Sequence, residues 1–381
     1  VNGIQAVVFG SALVLLMGAA PAAYAGSDPP RALFVSVLQE PSVLESRQAI
    51  YDLIIFSKRT GVRTLFVQVY RGGRSWFPSG AADDGPYREC ARRVGEDPFA
   101  LLIERAHAEG IEVHAWLNLL SLSANERAPL LQQYGPGVLT RNLGEKRSLL
   151  EYKIDGQYFL EPGDPRVRDQ LGTLVEEVVR AYPELDGVQF DYIRYPDWHP
   201  WYGYTDENVR RFREATGRTG TPAEEDPLWK DWRRDQVTEL VELLARRART
   251  IHSSIQVSTT GLVPYSRASM EAFQDWKRWV RSGLVDFVTL MCYARDAAQF
   301  DRYLQDAREQ LGDLKKANIA VGAYELERSP GLFAKQFRMS EEAGSRASAV
   351  LHYGSLLERP ALAGPLTRNR KLRSFAEGAV R

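Results

Sequence analysis

Only two of the 381 residues are cysteine, Cys90 and Cys292, which excludes a disulfide-stapled scaffold and leaves a single bridge allowed but not required. Both read as free thiols, Cys90 in a polar loop and Cys292 in an apolar strand. Histidine is scarce as well. The five present, His107, His114, His199, His252 and His352, show neither His-x-His nor His-Glu-x-x-His spacing, so a metal-dependent hydrolase lacks its usual ligand set. No Gly-x-Ser-x-Gly elbow surrounds Ser258, Ser266 or Ser269, which argues against serine-esterase chemistry. Neither sign of charge prevails: 49 basic side chains meet 49 acidic ones, and nothing pulls the chain toward nucleic acid. No cofactor is implied, and the oligomeric state stays open.

Long apolar runs are also missing, with one exception. Ala6 to Ala20 is an apolar stretch followed by Pro21 and the triplet Ala23-Tyr24-Ala25, the pattern of a secretory signal cleaved after Ala25. No Lys or Arg precedes it, and an uncleaved anchor is the competing reading. Residues 1–25 are therefore expected to be a signal peptide and residues 26–381 one exported domain, secreted or periplasmic, without stable membrane insertion after cleavage.

What is present, from residue 30 on, is an alternation of short β-branched or aromatic runs with longer amphipathic stretches, the mark of parallel strands joined by crossover helices. Strands are expected at 32–38, 64–70, 112–120, 187–193, 255–263, 286–293, 319–324 and 349–355. Helices are expected at 46–60, 98–109, 165–182, 227–252, 269–281, 297–316 and 330–344. This predicts a (β/α)8 TIM barrel with long βα loops at its C-terminal face, at 71–97, 121–164 and 194–226. An open doubly wound sheet is the alternative, but no Gly-rich phosphate loop follows the first strand.

Strand alternation selects the candidate site. In the fourth strand Val188, Phe190 and Tyr192 share one face, and Gln189 and Asp191 the other. The second strand pairs Gln68 with Tyr70, and the third groups His114, Trp116 and Asn118. An inward carboxylate at a strand end, ringed by amides and aromatics, suits a sugar, whose ring stacks on aromatic faces while its hydroxyls need paired donors and acceptors. The competing reading for the deeper Gln68 and His114 is a self-satisfied polar core. Asp186 lies on the same strand about 16 Å toward the opposite rim, where barrel residues serve stability. Arg71, Arg74 and Arg194, just past strand ends, suit a carboxylate on an acidic sugar or serve as solvated loop charges. The aromatic-rich loop with Tyr195, Trp198, His199, Trp201, Tyr202 and Tyr204, together with Trp76 and Phe77, provides stacking surface for an extended glycan or folds as a satellite cluster.

The segments Thr64–Gly73 with Trp76–Ser79 behind it, His114–Asn118, Phe159–Pro165, the Asp191 strand, Asp275-Trp276 and Asp286–Tyr293 occur in an order that resembles the bacterial glycosyl-hydrolase-like 10 barrels over residues 32–355. The resemblance implies a secreted (β/α)8 hydrolase acting on glycosidic bonds, in some members those of peptidoglycan or other bacterial glycans. One departure is visible: many relatives carry a second acid after the strand-four aspartate, and here that position is Tyr192.

Glycoside cleavage uses a proton donor and a second group as base or nucleophile. Asp191 is the expected carboxylate, and Glu325, at the end of the seventh strand, the expected partner, ahead of Glu327, Glu40 and Asp296. If the sugar carries an N-acetyl group, the substrate amide serves as nucleophile, and Tyr293 would hold it. The expected substrate is a cell-wall or extracellular polysaccharide; the alternative is a catalytically inactive glycan-binding barrel.

Overall fold

The computed structural model describes residues 29–367, so the expected signal segment lies outside the described residues. Eight parallel strands among them form the barrel: β1 (Arg31–Val35), β2 (Val62–Arg71), β3 (Glu112–Asn118), β4 (Gly187–Asp191), β5 (Gln256–Gly261), β6 (Phe287–Met291), β7 (Ala317–Gly322) and β8 (Ala347–Leu351). Each strand pairs in parallel with its sequence neighbours, and β1 pairs with both β2 and β8, which closes the cylinder. The crossover helices are α1 (Arg47–Thr60), α2 (Pro98–His107), α3 (Pro165–Ala181), α4 (Pro227–Ile251), α5 (Trp276–Ser282), α6 (Ala297–Leu311), α7 (Pro330–Glu342) and α8 (Tyr353–Glu358). The expected (β/α)8 architecture is the one observed.

Three of these helices start on the same local device. Asp97-Pro98, Asp164-Pro165 and Asp226-Pro227 each place a carboxylate at the N-cap, accepting from a first-turn N–H at 2.9–3.0 Å, with proline where no amide donor is needed. In α3 the buried Val167, Leu171, Leu174, Val175 and Val178 recur at helical spacing and turn one stripe onto the sheet. The outward faces of the strands, including Leu65, Val67, Val188 and Phe190, join this helix–sheet core.

A second, smaller apolar layer fills the barrel itself. Phe34, Phe66, Trp116 and Phe287 pack with the small residues Ala32, Ala320, Ala347 and Ala349. Phe34 stacks on Phe66 with centroids 4.6 Å apart and meets Trp116 edge-on at 5.1 Å. Large rings from some strands are thus accommodated by alanines from others, which is how a narrow barrel is filled without voids.

Several expected boundaries shift. The strand expected at 349–355 ends at Leu351, and Tyr353 opens α8. The helix expected at 269–281 is two, Tyr265–Met270 and α5, because Phe273 takes a left-handed backbone (φ 52°) and Asp275 caps the restart through the Arg278 N–H. The long loops carry helices of their own, Gly85–Val94, Pro129–Tyr134 and Asp206–Thr216.

Candidate active site

The βα loops surround a cavity of about 600 Å³ at the C-terminal mouth, within the size range of small-ligand sites. Asp191, the last residue of β4, lines it and is 6% exposed. Its Oδ2 accepts from Trp116 Nε1 at 2.9 Å, and its Oδ1 accepts from Thr260 Oγ1 at 2.6 Å and from the Tyr192 N–H at 2.7 Å. Arg194 Nη1 stands 4.0 Å from Oδ1. These donors come from the two flanking strands, β3 and β5, and the turn after β4. They fix the carboxylate in one orientation, and hydrogen bonds to a charged acceptor contribute roughly 1.5–3 kcal/mol each.

The turn after β4 explains where its neighbours go. Tyr192 adopts φ 51°, a left-handed conformation that non-glycine residues rarely take. Strand alternation stops there. Tyr192, expected on the helix-facing side with Val188 and Phe190, instead lines the cavity. The Arg194 guanidinium lies 4.5 Å over its ring. The Arg194 Nε and Nη1 atoms are buried without a hydrogen-bond acceptor among the described residues, in a wall that faces the cavity.

Alternation breaks in β2 as well. Gln68 pairs with Trp116, but the next paired residue is Tyr70, opposite Leu117, so Val69 is an extra residue, a β-bulge pinned by the Trp76 N–H donating to its carbonyl at 2.8 Å. Tyr70 consequently packs in the helix–sheet core rather than beside Gln68, and burial holds its phenol well above the usual tyrosine range. Arg71 takes the cavity-facing place.

The remaining candidates divide by depth. Trp116, Asn118, Arg71, Arg194 and Tyr293 line the cavity with Asp191. Gln68 lies one layer below, where its Nε2 donates to Asn118 Oδ1 at 2.9 Å and its Oε1 accepts from Ser36 Oγ and the Val37 N–H. It positions Asn118 rather than meeting a ligand. Gln189 is fully buried and accepts from the Ser258 hydroxyl. His114 is further down, enclosed by Phe66 and Phe287 at 5.1 and 5.8 Å, and burial pushes its imidazole pKa down. Neither Gln189 nor His114 lines the cavity.

Tyr195 is also turned away. It is buried, its hydroxyl donates to Glu161, and Asn208 donates to it at 3.4 Å. Glu161 has no other side-chain partner for its Oε2, and burial raises its pKa to about 7. This pair ties the 121–164 loop to the 194–226 loop behind the cavity. Tyr204 continues inward into a satellite cluster with Val209, Phe212 and Trp229, so Tyr195 and Tyr204 are packing while Trp198 and Trp201 stay exposed. Trp198 is 60% exposed at the rim, with the Arg267 guanidinium 3.9 Å over its ring.

Glu325, expected across the mouth from Asp191 because it ends the seventh strand, faces solvent instead. β7 ends at Gly322, and residues 323–326 form a 3-10 turn that leaves Glu325 exposed and outside the cavity lining, while Tyr324 faces in. The acids that do line the cavity with Asp191 are Asp197 and Glu358. Asp197 is held by the Arg267 guanidinium through two bonds. Glu358, at the end of α8, is exposed and makes no ion pair or hydrogen bond among the described residues. Since β8 lies across the barrel from β4, Glu358 stands on the wall facing Asp191.

Tyr293 packs against Gly322, where any Cβ would come within 3.0 Å of its ring, and meets Tyr324 edge-on at 5.6 Å. Burial, and to a lesser degree the negative charge of Asp191, pushes its pKa well above the ordinary value, so it stays a neutral phenol. Thr260, the residue missed by sequence reasoning that touches Asp191, had a legible signal: Ser258 and Thr260 alternate inward on β5 just as Gln189 and Asp191 do on β4.

Several known proteins share this chain's features. It is 27% identical over 281 residues to the protein named glycosyl hydrolase DigH of Escherichia coli K12, covering 67% of this chain and 60% of that one. It is 24% identical over 276 residues to the protein named glycosyl hydrolase YngK of Bacillus subtilis, covering 66% and 50%. The chain thus spans 50–60% of the length of these curated relatives. Among solved structures, the glycoside hydrolase domain of PgaB (BpsB) from Bordetella bronchiseptica superimposes with a TM-score of 0.67 at 16% identity, over 89% of this chain and 99% of that one. An α-L-fucosidase from Paenibacillus thiaminolyticus does so with 0.62 at 17% identity, over 92% and 50%. These two likenesses concern the fold. The family description "Glycosyl hydrolase-like 10" matches residues 35–328, most of the barrel with the Asp191 strand inside it, and the chain belongs to that family.

Proposed function

We propose that the chain is an exported glycoside hydrolase cleaving a bacterial cell-wall or extracellular polysaccharide, with Asp191 as the central carboxylate. The observation that carries this reading is a carboxylate oriented by Trp116, Thr260 and the Tyr192 amide at the floor of an open cavity rimmed by tyrosines. Tyrosine faces accommodate sugar rings, and Asn118, Arg71 and the Tyr293 hydroxyl supply the polar contacts that a sugar's hydroxyls need. Export rests on the apolar N-terminal run alone.

All of the protein groups bonded to Asp191 donate to it, so it suits the role of base, nucleophile or stabiliser of positive charge developing on the sugar. Proton delivery to the leaving oxygen then falls to a group on the facing wall. Glu358 is the unpaired acid there. With an N-acetylated sugar the substrate's amide oxygen would attack the anomeric carbon as the leaving oxygen is protonated, with Asp191 orienting the amide and the neutral Tyr293 hydroxyl donating to it.

The test is reducing-end release from purified peptidoglycan and from exopolysaccharide. The wild-type protein should release ends, and Asp191→Asn should lose that activity while keeping its fold and glycan binding. Binding without release by the wild type would instead establish a catalytically silent glycan-binding barrel, the reading favoured by the position of Glu325 outside the cavity.

A further inference from the structure

The hairpin after β2 stands between the central cavity and a second depression. Tyr70 pairs with Ser75 and Arg71 with Arg74 in antiparallel register, leaving Gly72-Gly73 as a two-residue turn with φ 61° and 77°. A turn with positive φ at both central positions matches the twist of the paired strands and requires residues that tolerate it. Gly73 is fixed further, since a Cβ there would lie 2.7 Å from Ala128 Cβ, and Asn125 Nδ2 donates to the Gly72 carbonyl at 2.7 Å. The hairpin is thereby locked onto the 121–164 loop.

On its far side Arg74, Trp76, Asn125, Glu126 and Arg127 line a depression of about 480 Å³, which shares Leu38 and Arg71 with the central cavity. The charge there is unbalanced. Arg71 and the Arg127 guanidinium have no acceptor among the described residues, and Arg74 has only Asp83 at 3.8 Å. The one carboxylate in the lining, Glu126, is already engaged by the Tyr158 hydroxyl at 3.0 Å and Lys153 at 3.4 Å. Trp76, half-buried against the core, contributes a flat aromatic face beside these guanidinium groups.

We propose that this depression is a distal subsite for a carboxylate-bearing sugar of the same glycan whose scissile bond sits at Asp191. The inference rests on the glycosidase reading and adds to it the charge of the substrate. A glycan passing over Leu38 would place one ring in the central cavity and a later one on Trp76. Its carboxylate would then meet Arg71, Arg74 and Arg127 in charge-assisted hydrogen bonds. Because Arg74 and Arg127 are exposed, these contacts should weaken as salt screens them.

The experiment is calorimetric titration of the Asp191→Asn protein with hexasaccharides and disaccharides of peptide-free bacterial cell-wall glycan, each in its free-carboxylate and its carboxyl-amidated form. The free-carboxylate hexasaccharide should bind about tenfold tighter than its amidated form, and this ratio should fall on raising salt. For the disaccharides, too short to reach the second depression, the ratio should stay within about twofold. In an Arg74→Ala/Arg127→Ala background the hexasaccharide ratio should collapse toward one. Equal binding of both hexasaccharides, no binding of either, or a ratio that survives in the double variant would overturn the subsite. Turnover of the same hexasaccharide by wild-type protein is read separately: cleavage without carboxylate preference removes the subsite alone, and preference without cleavage removes the glycosidase reading.

Discussion

Two aspartates on one strand axis, Asp186 at the floor of the barrel and Asp191 at its mouth, have similar numbers of partners and different surroundings. Asp186 Oδ2 accepts from the Val113 N–H at 2.7 Å and faces His107 Nε2 at 2.8 Å. Asp286 repeats the device before β6, accepting from the Val257 N–H at 2.7 Å and from Arg249 at 3.0 Å. Each floor aspartate thus accepts from the amide of the second residue of the preceding strand, and its side-chain partner, His107 or Arg249, comes from a helix. Asp191 is held by Trp116 and Thr260 from inside the barrel, which leaves it facing the cavity. The lesson is that hydrogen-bond saturation does not separate an acid turned to the helices from one turned to the cavity. The direction from which the partners come does.

Exchanging the two substitutions is the strongest way to break this contrast. Asp191→Asn should lower turnover by about 10³-fold, within the range for loss of a general acid–base group, with a melting temperature near wild type. Asp186→Asn should cost about 1 kcal/mol of stability in denaturant titration, as expected when half-buried hydrogen bonds lose their charged acceptor, with turnover per folded molecule retained. A large activity loss in the floor variant would erase the distinction.

Glu161 sharpens the comparison, because it is an acid buried without a basic partner. Its pKa rises from 4.5 to about 7 in the folded chain, so the folded state binds the extra proton. Its contribution is fully present below pH 4.5 and is lost as pH rises through 7. Glu161→Gln, which keeps an acceptor for Tyr195, should therefore be more stable than wild type at pH 8 by on the order of 3 kcal/mol, and should flatten the fall in stability between those values. Chemical denaturation across that pH range measures it, and an unchanged slope would contradict the assignment.

The smallest effect concerns the inner partner. Trp116→Phe keeps the aromatic packing against Phe34 but removes the N–H that holds Asp191 Oδ2. Turnover should fall about tenfold, close to the 1.4 kcal/mol equivalent of one ordinary hydrogen bond, with little change in stability. Kinetics and thermal melts on the same preparation separate the two.

Much of this arrangement was legible from alternation, and the failures share a cause. Period-two reasoning placed Asp191, Trp116 and Asn118 on the inner face because β3 and β4 are regular up to their last residues. It failed for Tyr70 and Tyr192, which sit at breaks in the ladder, a bulge and a left-handed turn, and the strand-end position chosen for Glu325 was lost to a 3-10 turn. Those breaks sit at the mouth, where strands hand over to loops. Depth was the other variable: Gln68 and His114 are already open to the reading of a deeper polar core, and Gln189, which also points inward, lies below the layer lining the cavity as well. The order of strands and helices, by contrast, needed only the repeating pattern of apolar runs and Asp-Pro starts.

The extra residue at Val69 carries a consequence for how this mouth diversifies. Because it sets whether position 70 or position 71 looks inward, a one-codon deletion there would exchange a permanently cationic side chain for a phenol. Chains that share this scaffold but differ in length by one at the end of the second strand are therefore expected to differ in the polarity of the glycans they accept.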